Sequence, residues 1–412
     1  MLAWSEVTSV LAIKESSAAL VDEIAARLKL SANSTEHSAA RRDKSRMQET
    51  IAAAGLRAIK SFVAVTADDA LARIRQKQRY PVVVKPLRGF GSKGVLICDN
   101  EQEVTAAFDA LLGSTMLESL GEGPLESLLV QEYLVGQEFV VNWVSRAGRA
   151  VVSDMWLSFK PRVPGAAGPI YRKQTLVPSS SAHPEIIDYS FEVLRALGIR
   201  HGHSHFELIL TADGPCPVEI GARPSGGSSR PTDALQRSAH DIPAMACTDQ
   251  PDQFMAVPTH YVATHHMTCL WLVAPTDSFI FMPTADKIAA LSSFHRFDSG
   301  RLPFEGRRLF MRKRKQRKLA LAPPTVEGRD PRCRVAVAVK TTVLHTQPTS
   351  CVLMSDDAAQ VEADCAAIIE LEMSELYQKP PEPCVMHWLG IEKPAEMLTA
   401  LNCEVWTCGH MA

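Results

Sequence analysis

The sequence lacks the features that mark membrane, secreted or disulfide-rich proteins. No apolar run approaches the ~18 residues that a membrane-spanning helix needs, and the N-terminus has no basic lead before a long apolar stretch. The ten cysteines include no CxxC pair and form no dense framework. In so long a chain they predict reduced, mostly buried thiols and a cytoplasmic location.

The chain also lacks an excess of charge of one sign. It has 44 basic and 46 acidic side chains and a formal net charge of -2, which argues against a general nucleic-acid or membrane-surface binder. One local exception is the run RRLFMRKRKQRK at residues 307–318. Because the run contains a single aromatic residue, Phe310, and no regular aromatic interleaving that would form a base-stacking surface, we expect a solvated insertion loop there. A nuclear-localisation signal or nucleic-acid patch is the alternative.

What remains is a core-forming chain of 412 residues, 46% of them hydrophobic, with room for two or three packed units. Apolar periodicity predicts alternating helices and strands up to about residue 250. The helices are expected over 17–29, 45–54, 67–76, 103–112 and 184–198, and the strands over 62–65, 81–85, 95–98, 128–133, 138–145, 203–210 and 216–219. Beyond residue 250 the pattern weakens to strands at 334–344 and 350–354 and a helix at 358–377.

The first chemical motif is VVVKPLRGFGSKGV, residues 82–95. Glycines in a hairpin allow backbone N–H groups to approach a triphosphate closely, and Lys85 at the strand end would add a positive charge. The motif is not a P-loop, because its lysine precedes the glycines. Taken alone, the motif favours an ordinary tight hairpin.

The second motif is VQEYLVGQEF, residues 130–139. A strand that leaves a sheet edge exposes one C=O and one N–H, which suit the edge of an adenine. Glu138, seven residues after Gln131, would accept hydrogen bonds from ribose hydroxyls. A solvated acidic turn is the alternative.

The third motif is HFELILTADGPCPVEIGARPSGG, residues 205–227. Glu207 and Glu219 lie on two predicted strands joined by a short turn, so both carboxylates can converge on one face. Two carboxylates together with phosphate oxygens suit Mg²⁺, and Arg223 would offer a cationic fork to a phosphate or carboxylate. A pair of surface glutamates on a hairpin is the alternative.

In this order, the three motifs resemble the ATP-grasp superfamily of carboxylate–amine ligases. The resemblance covers roughly residues 40–250, with a looser match through 358–377. More narrowly, RRDKSRM (41–47), GHSHFEL (202–208) and VEIGARPSGG (218–227) look like the group that contains L-amino acid ligases. The resemblance implies an α/β (α+β) ATP-grasp fold, with antiparallel-sheet nucleotide-binding subdomains and a shortened N-terminal α/β segment.

The resemblance also implies a division of the chain. The implied parts are a shortened N-terminal segment 1–43, an ATP-grasp domain 44–250 with a lid-type subdomain 80–145, a C-terminal lobe 251–379 with a basic insertion near 300–333, and an irregular tail 380–412. The implied nucleotide contacts are Lys44 and Lys85 for phosphates, Gly91, Ser92 and Gly94 in the covering loop, Gln131 and the backbone of Glu132 to Leu134 for adenine, and Glu138 for ribose.

For the reacting groups, the resemblance implies that Glu207 and Glu219 bind Mg²⁺, with Mn²⁺ as a substitute, and that Arg223 stabilises the transferred phosphoryl group. The family often has an asparagine two residues after the second glutamate as a further metal ligand. Here that position is Gly221, so water or backbone would substitute.

The implied activity is an ATP-dependent ligase that activates a small carboxylate as an acyl phosphate and joins it to an amine. From charge and hydropathy we expect no membrane or nucleic-acid partner, and a homodimer is left open. Two alternatives are another ATP-grasp activity, carboxylase-like or phosphoribosylamine–glycine ligase-like, and a catalytically inert nucleotide-binding module.

Several further side chains have weaker signals. His201, His203 and His205 alternate along one predicted strand, where zinc binding is conceivable but pocket or core histidines are favoured. The resemblance places His205 beside the site, two residues before Glu207. Tyr171 and Arg172 are candidates for the substrate mouth.

Overall fold

The computed structural model describes residues 7–378, with gaps at 78–79, 90, 119–122, 163–167, 227–230, 237–240, 248–250, 276–277, 299–334, 339–346 and 348. The basic run 307–318 and the tail 380–412 lie outside the described residues. Within the described residues, no helix is long and apolar enough to cross a bilayer.

The described chain alternates helices and strands. The helices are α1 (Ala18–Arg27), α2 (Lys44–Ala53), α3 (Ala67–Lys77), α4 (Glu101–Leu111), α5 (Pro184–Ala196), α6 (Thr232–Leu235), α7 (Asp241–Cys247), α8 (Pro251–Ala256), α9 (Met282–Ala289) and α10 (Ala358–Leu371). The strands are β1 (Ser61–Ala64), β2 (Val82–Lys85), β3 (Leu96–Cys98), β4 (Leu128–Glu132), β5 (Gly136–Arg146), β6 (Arg149–Phe159), β7 (Lys173–Leu176), β8 (Gly202–Thr211), β9 (Gly214–Gly221), β10 (His266–Trp271), β11 (Ser278–Phe281), β12 (Phe294–Asp298), β13 (Val335–Ala338), β14 (Ser350–Ser355) and β15 (Tyr377–Gln378).

These strands form three antiparallel sheets. The small sheet has the order β1-β4-β2-β3, the large sheet has the order β12-β14-β10-β7-β6-β5-β8-β9, and a third sheet has the order β13-β11-β15. The combination of helices with antiparallel sheets confirms the predicted fold class. Strands β6 and β7, which the sequence did not predict, complete the middle of the large sheet.

One face of the small sheet is apolar, and the other carries polar side chains among apolar ones, because side chains alternate along its strands. Val82 and Val84 of β2 are fully buried in a cluster with Phe108 of α4. Lys85 and Gln131 point to the opposite face, with Val83 paired to Gln131 in the ladder. This places a lysine and an amide on the face that is not covered by α3 and α4.

The large sheet has the same alternation. Phe206 and Leu208 of β8 belong to the main core, which packs against Ile186 and Val193 of α5. The intervening residues of β8, including Glu207, lie on the other face. The pattern of β8 therefore directs its polar side chains away from the core.

Helix α2 begins where the sequence supplies a cap. The carboxylate of Asp43 accepts hydrogen bonds from the N–H groups of Ser45 and Arg46, at 3.0 and 3.2 Å. The backbone N–H of Lys44 donates to the carbonyl of Leu87, at 2.9 Å, which ties the helix start to the chain after β2.

The predicted helix 358–377 is shorter than expected. Helix α10 ends at Leu371, and residues Glu372–Leu376 form a wider π-type turn before β15. Glu372 is buried and accepts hydrogen bonds from Arg172, at 2.8 Å, and from the N–H of Val273, at 3.1 Å. These tertiary contacts lie where the α-helical backbone changes to the π-type turn, and the apolar periodicity of the sequence does not indicate this change.

Candidate active site

The polar faces of the small and large sheets meet at one cluster of charged side chains. Glu207 of β8 and Glu219 of β9 are directly paired in the ladder, so their side chains lie on the same face. Lys85, at the end of β2, is in the electrostatic field of both carboxylates. The structure therefore brings together the three residues on which the predicted site depends.

Lys44 connects three parts of this cluster. Its ammonium Nζ donates to the carbonyl of Gly89, at 2.9 Å, and lies 3.1 Å from Oε2 of Glu219. The lysine is buried, as a cation can be when it is paired and hydrogen-bonded. It fixes the start of the glycine-rich loop against β9.

The glycine-rich loop adopts the conformations for which glycine is suited. Gly91, Ser92 and Gly94 have φ values of 65°, 57° and 73°, and the carbonyl of Ser92 accepts from the N–H of Val95, at 3.2 Å. A Cβ at Gly94 would lie 3.0 Å from Sδ of Met116 and 3.1 Å from Pro86. Both the backbone and the available space therefore require glycine at position 94.

Lys160 is a central site residue that the sequence analysis missed. Its ammonium forms ion pairs with Glu138 and with Oε2 of Glu207, the latter at 3.3 Å, and lies 4.0 Å from the centre of the Tyr171 ring. Burial lowers the pKa of Lys160, but Glu138 and Glu207 outweigh this effect and hold that pKa well above its usual value. The ammonium of Lys160 thus contacts both Glu138, which is predicted to bind ribose, and Glu207, which is predicted to bind the metal.

Glu207 is the most heavily contacted carboxylate of the site. Its Oε1 accepts from the hydroxyl of Tyr171, at 3.1 Å, and lies 3.3 Å from Nε2 of His205. Burial alone raises the pKa of Glu207, but Lys160 and His205 reverse this and hold it well below the usual value. For Glu138, burial dominates and raises the pKa despite Lys160.

His205 is oriented by a series of hydrogen-bonded side chains on the side of its ring away from Glu207. Its Nδ1 lies 2.8 Å from Oδ1 of Asn142, whose amide donates to the buried carboxylate of Asp154, at 2.5 Å. His201 and His203 instead line a separate cavity of about 290 Å³. In the part of the chain that the structure describes, no three His, Cys, Asp or Glu side chains are grouped to hold a metal, which gives no support to the zinc alternative.

The predicted adenine residues lie at the end of β4. Gln131 is 2% exposed, and its Nε2 has no hydrogen-bond partner among the described residues. The N–H of Glu132 donates to the carbonyl of Lys60, at 3.0 Å, and its carboxylate accepts from the N–H of Lys60, at 2.9 Å. The N–H and the carboxylate of Glu132 are therefore both hydrogen-bonded to Lys60, the residue before β1. Leu134, beyond the end of β4, is half-buried.

Arg223 follows β9 and is buried. Its Nε donates to Oε2 of Glu15, at 2.7 Å, and its Nη1 donates to the carbonyl of Pro224, at 2.9 Å. Glu15 was not predicted to belong to the site. It comes from the N-terminal segment, 208 residues earlier in the chain.

Lys85 has the most informative titration. Burial, and then the neighbouring Lys44, lower its pKa to about 8, against 10.5 for a free lysine. Between these values the unfolded chain binds more protons at this position than the folded chain does, so stability from this group rises with pH in that window. Bound phosphates would oppose the shift, because they favour the charged form.

We therefore expect nucleotide binding to take up protons above pH ~8, with affinity falling as the pH rises. Calorimetric titration of ATP at pH ~8.5 in two buffers of different ionisation enthalpy measures this uptake. The matched control is Lys85→Arg, which stays charged and should show much less uptake. Equal heats in the two buffers for the wild-type protein would contradict the prediction.

Comparison with known proteins shows what most of this site is similar to. Residues 78–232 match the family model described as an ATP-grasp domain. The chain is 34% identical over 224 residues to dapdiamide A synthase of Enterobacter agglomerans, an alignment that covers 54% of this chain and 52% of that protein. A second relative, an uncharacterized protein of Sinorhizobium fredii, is 24% identical over 204 residues, which cover 48% of this chain and 39% of that protein.

Solved structures show the same fold. The L-amino acid ligase of Bacillus licheniformis superposes with a TM-score of 0.61 at 16% identity, covering 88% of this chain and 79% of that one. N5-carboxyaminoimidazole synthetase of Staphylococcus aureus, solved with ADP, gives a TM-score of 0.59 at 13% identity and covers 88% and 81%.

The chain spans about half the length, or less, of the curated relatives it matches. The domain match nevertheless contains the glycine-rich loop, the end of β4, both paired glutamates and Arg223. Residues 78–232 are therefore similar to an ATP-grasp domain, as the motifs predict, and the chain has the fold of these solved structures.

Proposed function

We propose that this chain is an ATP- and Mg²⁺-dependent ligase that joins a small carboxylate, of an amino acid or a similar acid, to an amine. The observation that carries the proposal is the pairing of Glu207 with Glu219 across two strands, close to three lysines from different elements. The likeness to a dapdiamide synthase favours amino-acid-type substrates over the carboxylase-like alternative.

The acidic pair fits a divalent cation. Carboxylate oxygens are the donors that Mg²⁺ prefers, and two of them leave coordination positions for phosphate oxygens and water. Glu207 and Glu219 would hold Mg²⁺, or Mn²⁺ in its place, and the cation would offset the charge of the triphosphate. Glu207 is suited to this role because its pKa is held low, which keeps the carboxylate ionised.

The remaining predicted residues would hold the nucleotide. Lys44 and Lys85 would bind phosphates, and Gly91, Ser92 and Gly94 would cover them. Gln131, whose Nε2 has no hydrogen-bond partner among the described residues, and the backbone from Glu132 to Leu134 would bind the adenine edge. Glu138 would accept from the ribose, and its ion pair with Lys160 would then supply a further cation near the phosphates.

The reaction has two steps in this proposal. A carboxylate oxygen of the substrate attacks the γ-phosphorus of ATP, the bond to the β-γ bridging oxygen breaks, and ADP leaves. The amine nitrogen then attacks the acyl carbon, phosphate leaves with the bonding electrons, and the amine loses a proton. Arg223 and the lysines would stabilise the transferred phosphoryl group, so catalysis is positioning and electrostatics.

The proposed division of labour follows the predicted segments. Residues 44–250 would form the ATP-grasp part, with 80–145 as a lid that shields the acyl phosphate from water. Residues 1–43 and the lobe 251–379 would flank it. We also propose a cytoplasmic location, since the six cysteines that the structure describes are free thiols.

Phosphate release from ATP, measured with a panel of amino acids and small amines, tests the proposal. We expect release that depends on both a carboxylate and an amine, with the amide product detected by mass spectrometry. ATP binding with no substrate-dependent release would favour an inert nucleotide-binding module instead. Bicarbonate-dependent release would favour the carboxylase-like alternative.

A further inference from the structure

The N-terminal segment reaches the proposed active site through one carboxylate. Glu15 is 8% exposed, and its Oε2 accepts from Nε of Arg223, at 2.7 Å. It is also in the electrostatic field of Glu219 and Lys44. Nothing in the local sequence around Glu15 indicates such a role, because its partner lies 208 residues away.

Gly221 is the position that makes room for this carboxylate. A Cβ built there would lie only 2.7 Å from Oε2 of Glu15. The backbone of Gly221 does not have a positive φ, so its lack of a side chain is a matter of space rather than conformation. In this arrangement, a side chain at position 221 and the present position of Glu15 exclude each other.

The segment that carries Glu15 is anchored to the body of the protein. Glu15 begins a short 3-10 turn that leads directly into α1. Asp22 of α1 pairs with the buried Arg41, at 2.6 Å, and Arg41 also donates to the carbonyl of Leu197 after α5, at 2.7 Å. The carboxylate of Glu15 is therefore presented by a fixed element.

Burying the Glu15–Arg223 ion pair costs desolvation free energy, and a gain in folding stability does not account for the pair. Burial raises the pKa of Glu15 in spite of the attraction of Arg223, and Glu219 adds repulsion. Buried ion pairs often contribute little net stability compared with apolar residues of similar volume. A role in fixing the guanidinium accounts for the arrangement.

We propose that Glu15 is a positioning residue for Arg223, and that Gly221 is side-chain-free in order to admit it. Among the described residues, Glu15 accepts from Nε and the carbonyl of Pro224 accepts from Nη1, so the other N–H groups of the guanidinium would bind an anionic ligand. That this ligand is the transferring phosphoryl group rests on the proposed function.

A competing role for Glu15 as a third metal ligand is not favoured by the geometry. Within the described residues, no set of three His, Cys, Asp or Glu side chains is placed to share a metal. The direct partner of Glu15 is the guanidinium of Arg223. The two roles differ in what each substitution should do.

The experiment compares Glu15→Ala, Glu15→Gln and Gly221→Ala. The main readout is the ratio of affinities for a non-hydrolysable ATP analogue and for ADP, both with Mg²⁺. This ratio measures γ-phosphate binding without requiring ligase activity. We expect Glu15→Ala to lower the ratio, and kcat where turnover is present, about tenfold to a hundredfold, because a misplaced guanidinium loses its alignment.

Glu15→Gln should retain most of the wild-type affinity ratio, because its amide oxygen can still accept a hydrogen bond from Nε of Arg223. Gly221→Ala should behave like Glu15→Ala, since the new Cβ displaces the flexible end of Glu15 with little change in melting temperature. Combining Gly221→Ala with Glu15→Ala should add nothing, because both remove the same contact.

Other outcomes overturn the proposal. A higher kcat in Glu15→Ala would make Glu15 an inhibitory stand-in for a substrate carboxylate. Equal losses of Mn²⁺ affinity in Glu15→Ala and Glu15→Gln would make it a metal ligand. If the wild-type protein shows no ligase activity, a crystal structure of Glu15→Ala still decides the point: an unmoved Arg223 guanidinium would overturn the positioning role, and a displaced one would support it.

Discussion

Replacing Glu219 by Gln should lower turnover about a hundredfold to a thousandfold, with the fold unchanged. The amide keeps the size of the side chain and can still accept a hydrogen bond from Lys44, which lies 3.1 Å away. It removes the negative charge that would hold the divalent cation. Loss of one preorganised electrostatic contact to the transferring group has effects of this size.

Steady-state phosphate release and calorimetric binding of Mn²⁺ measure this prediction. The matched control is Glu192→Gln on α5, where the carboxylate is exposed and its one ion pair among the described residues is with Arg195 of the same helix. Glu219→Gln should also weaken Mn²⁺ binding, whereas the control should leave turnover and binding unchanged. Wild-type turnover in Glu219→Gln would remove Glu219 from the site.

Replacing Lys160 by Met should cost about 3 kcal/mol of folding free energy. The substitution leaves Glu138 and Glu207 as two half-buried carboxylates without the cation that they share. Removing one partner of a buried ion pair is far more damaging than replacing the whole pair. The loss should appear in urea unfolding as a lower midpoint with the same slope.

Two further variants separate charge from packing. Adding Glu138→Gln to Lys160→Met should recover part of the loss, because it removes one of the uncompensated charges. Lys173→Met is the matched control, since its ion pair with Glu362 is largely exposed and should contribute less than about 1 kcal/mol. A loss in Lys160→Met no larger than in this control would contradict the prediction.

The local sequence predicted the positions of site residues where those residues lie on a single hairpin. Alternation along 203–210 and the turn at Asp213-Gly214 were enough to place Glu207 and Glu219 on one face, and the structure pairs them directly. The strand before the glycine-rich loop was likewise predictable from its run of β-branched residues, which fill the core under α4.

Lys160 and Glu15 were not predictable in this way because their partners are distant in sequence. Lys160 follows β6, a strand whose residues are buried on both sides and show little alternation, so the sequence did not predict the strand. Only the pairing of β6 with β5 brings Lys160 to Glu138. For Glu15, the one available signal was indirect, namely a glycine where the family often has asparagine.

A crystal structure with Mn²⁺ and a non-hydrolysable ATP analogue tests most directly whether the paired glutamates hold the catalytic cation. We predict an anomalous peak within coordination distance of both Glu207 and Glu219 and of the analogue's phosphate oxygens, with Lys44 and Lys85 on the same triphosphate. Nucleotide bound elsewhere, or a cation that contacts neither carboxylate, would contradict the account.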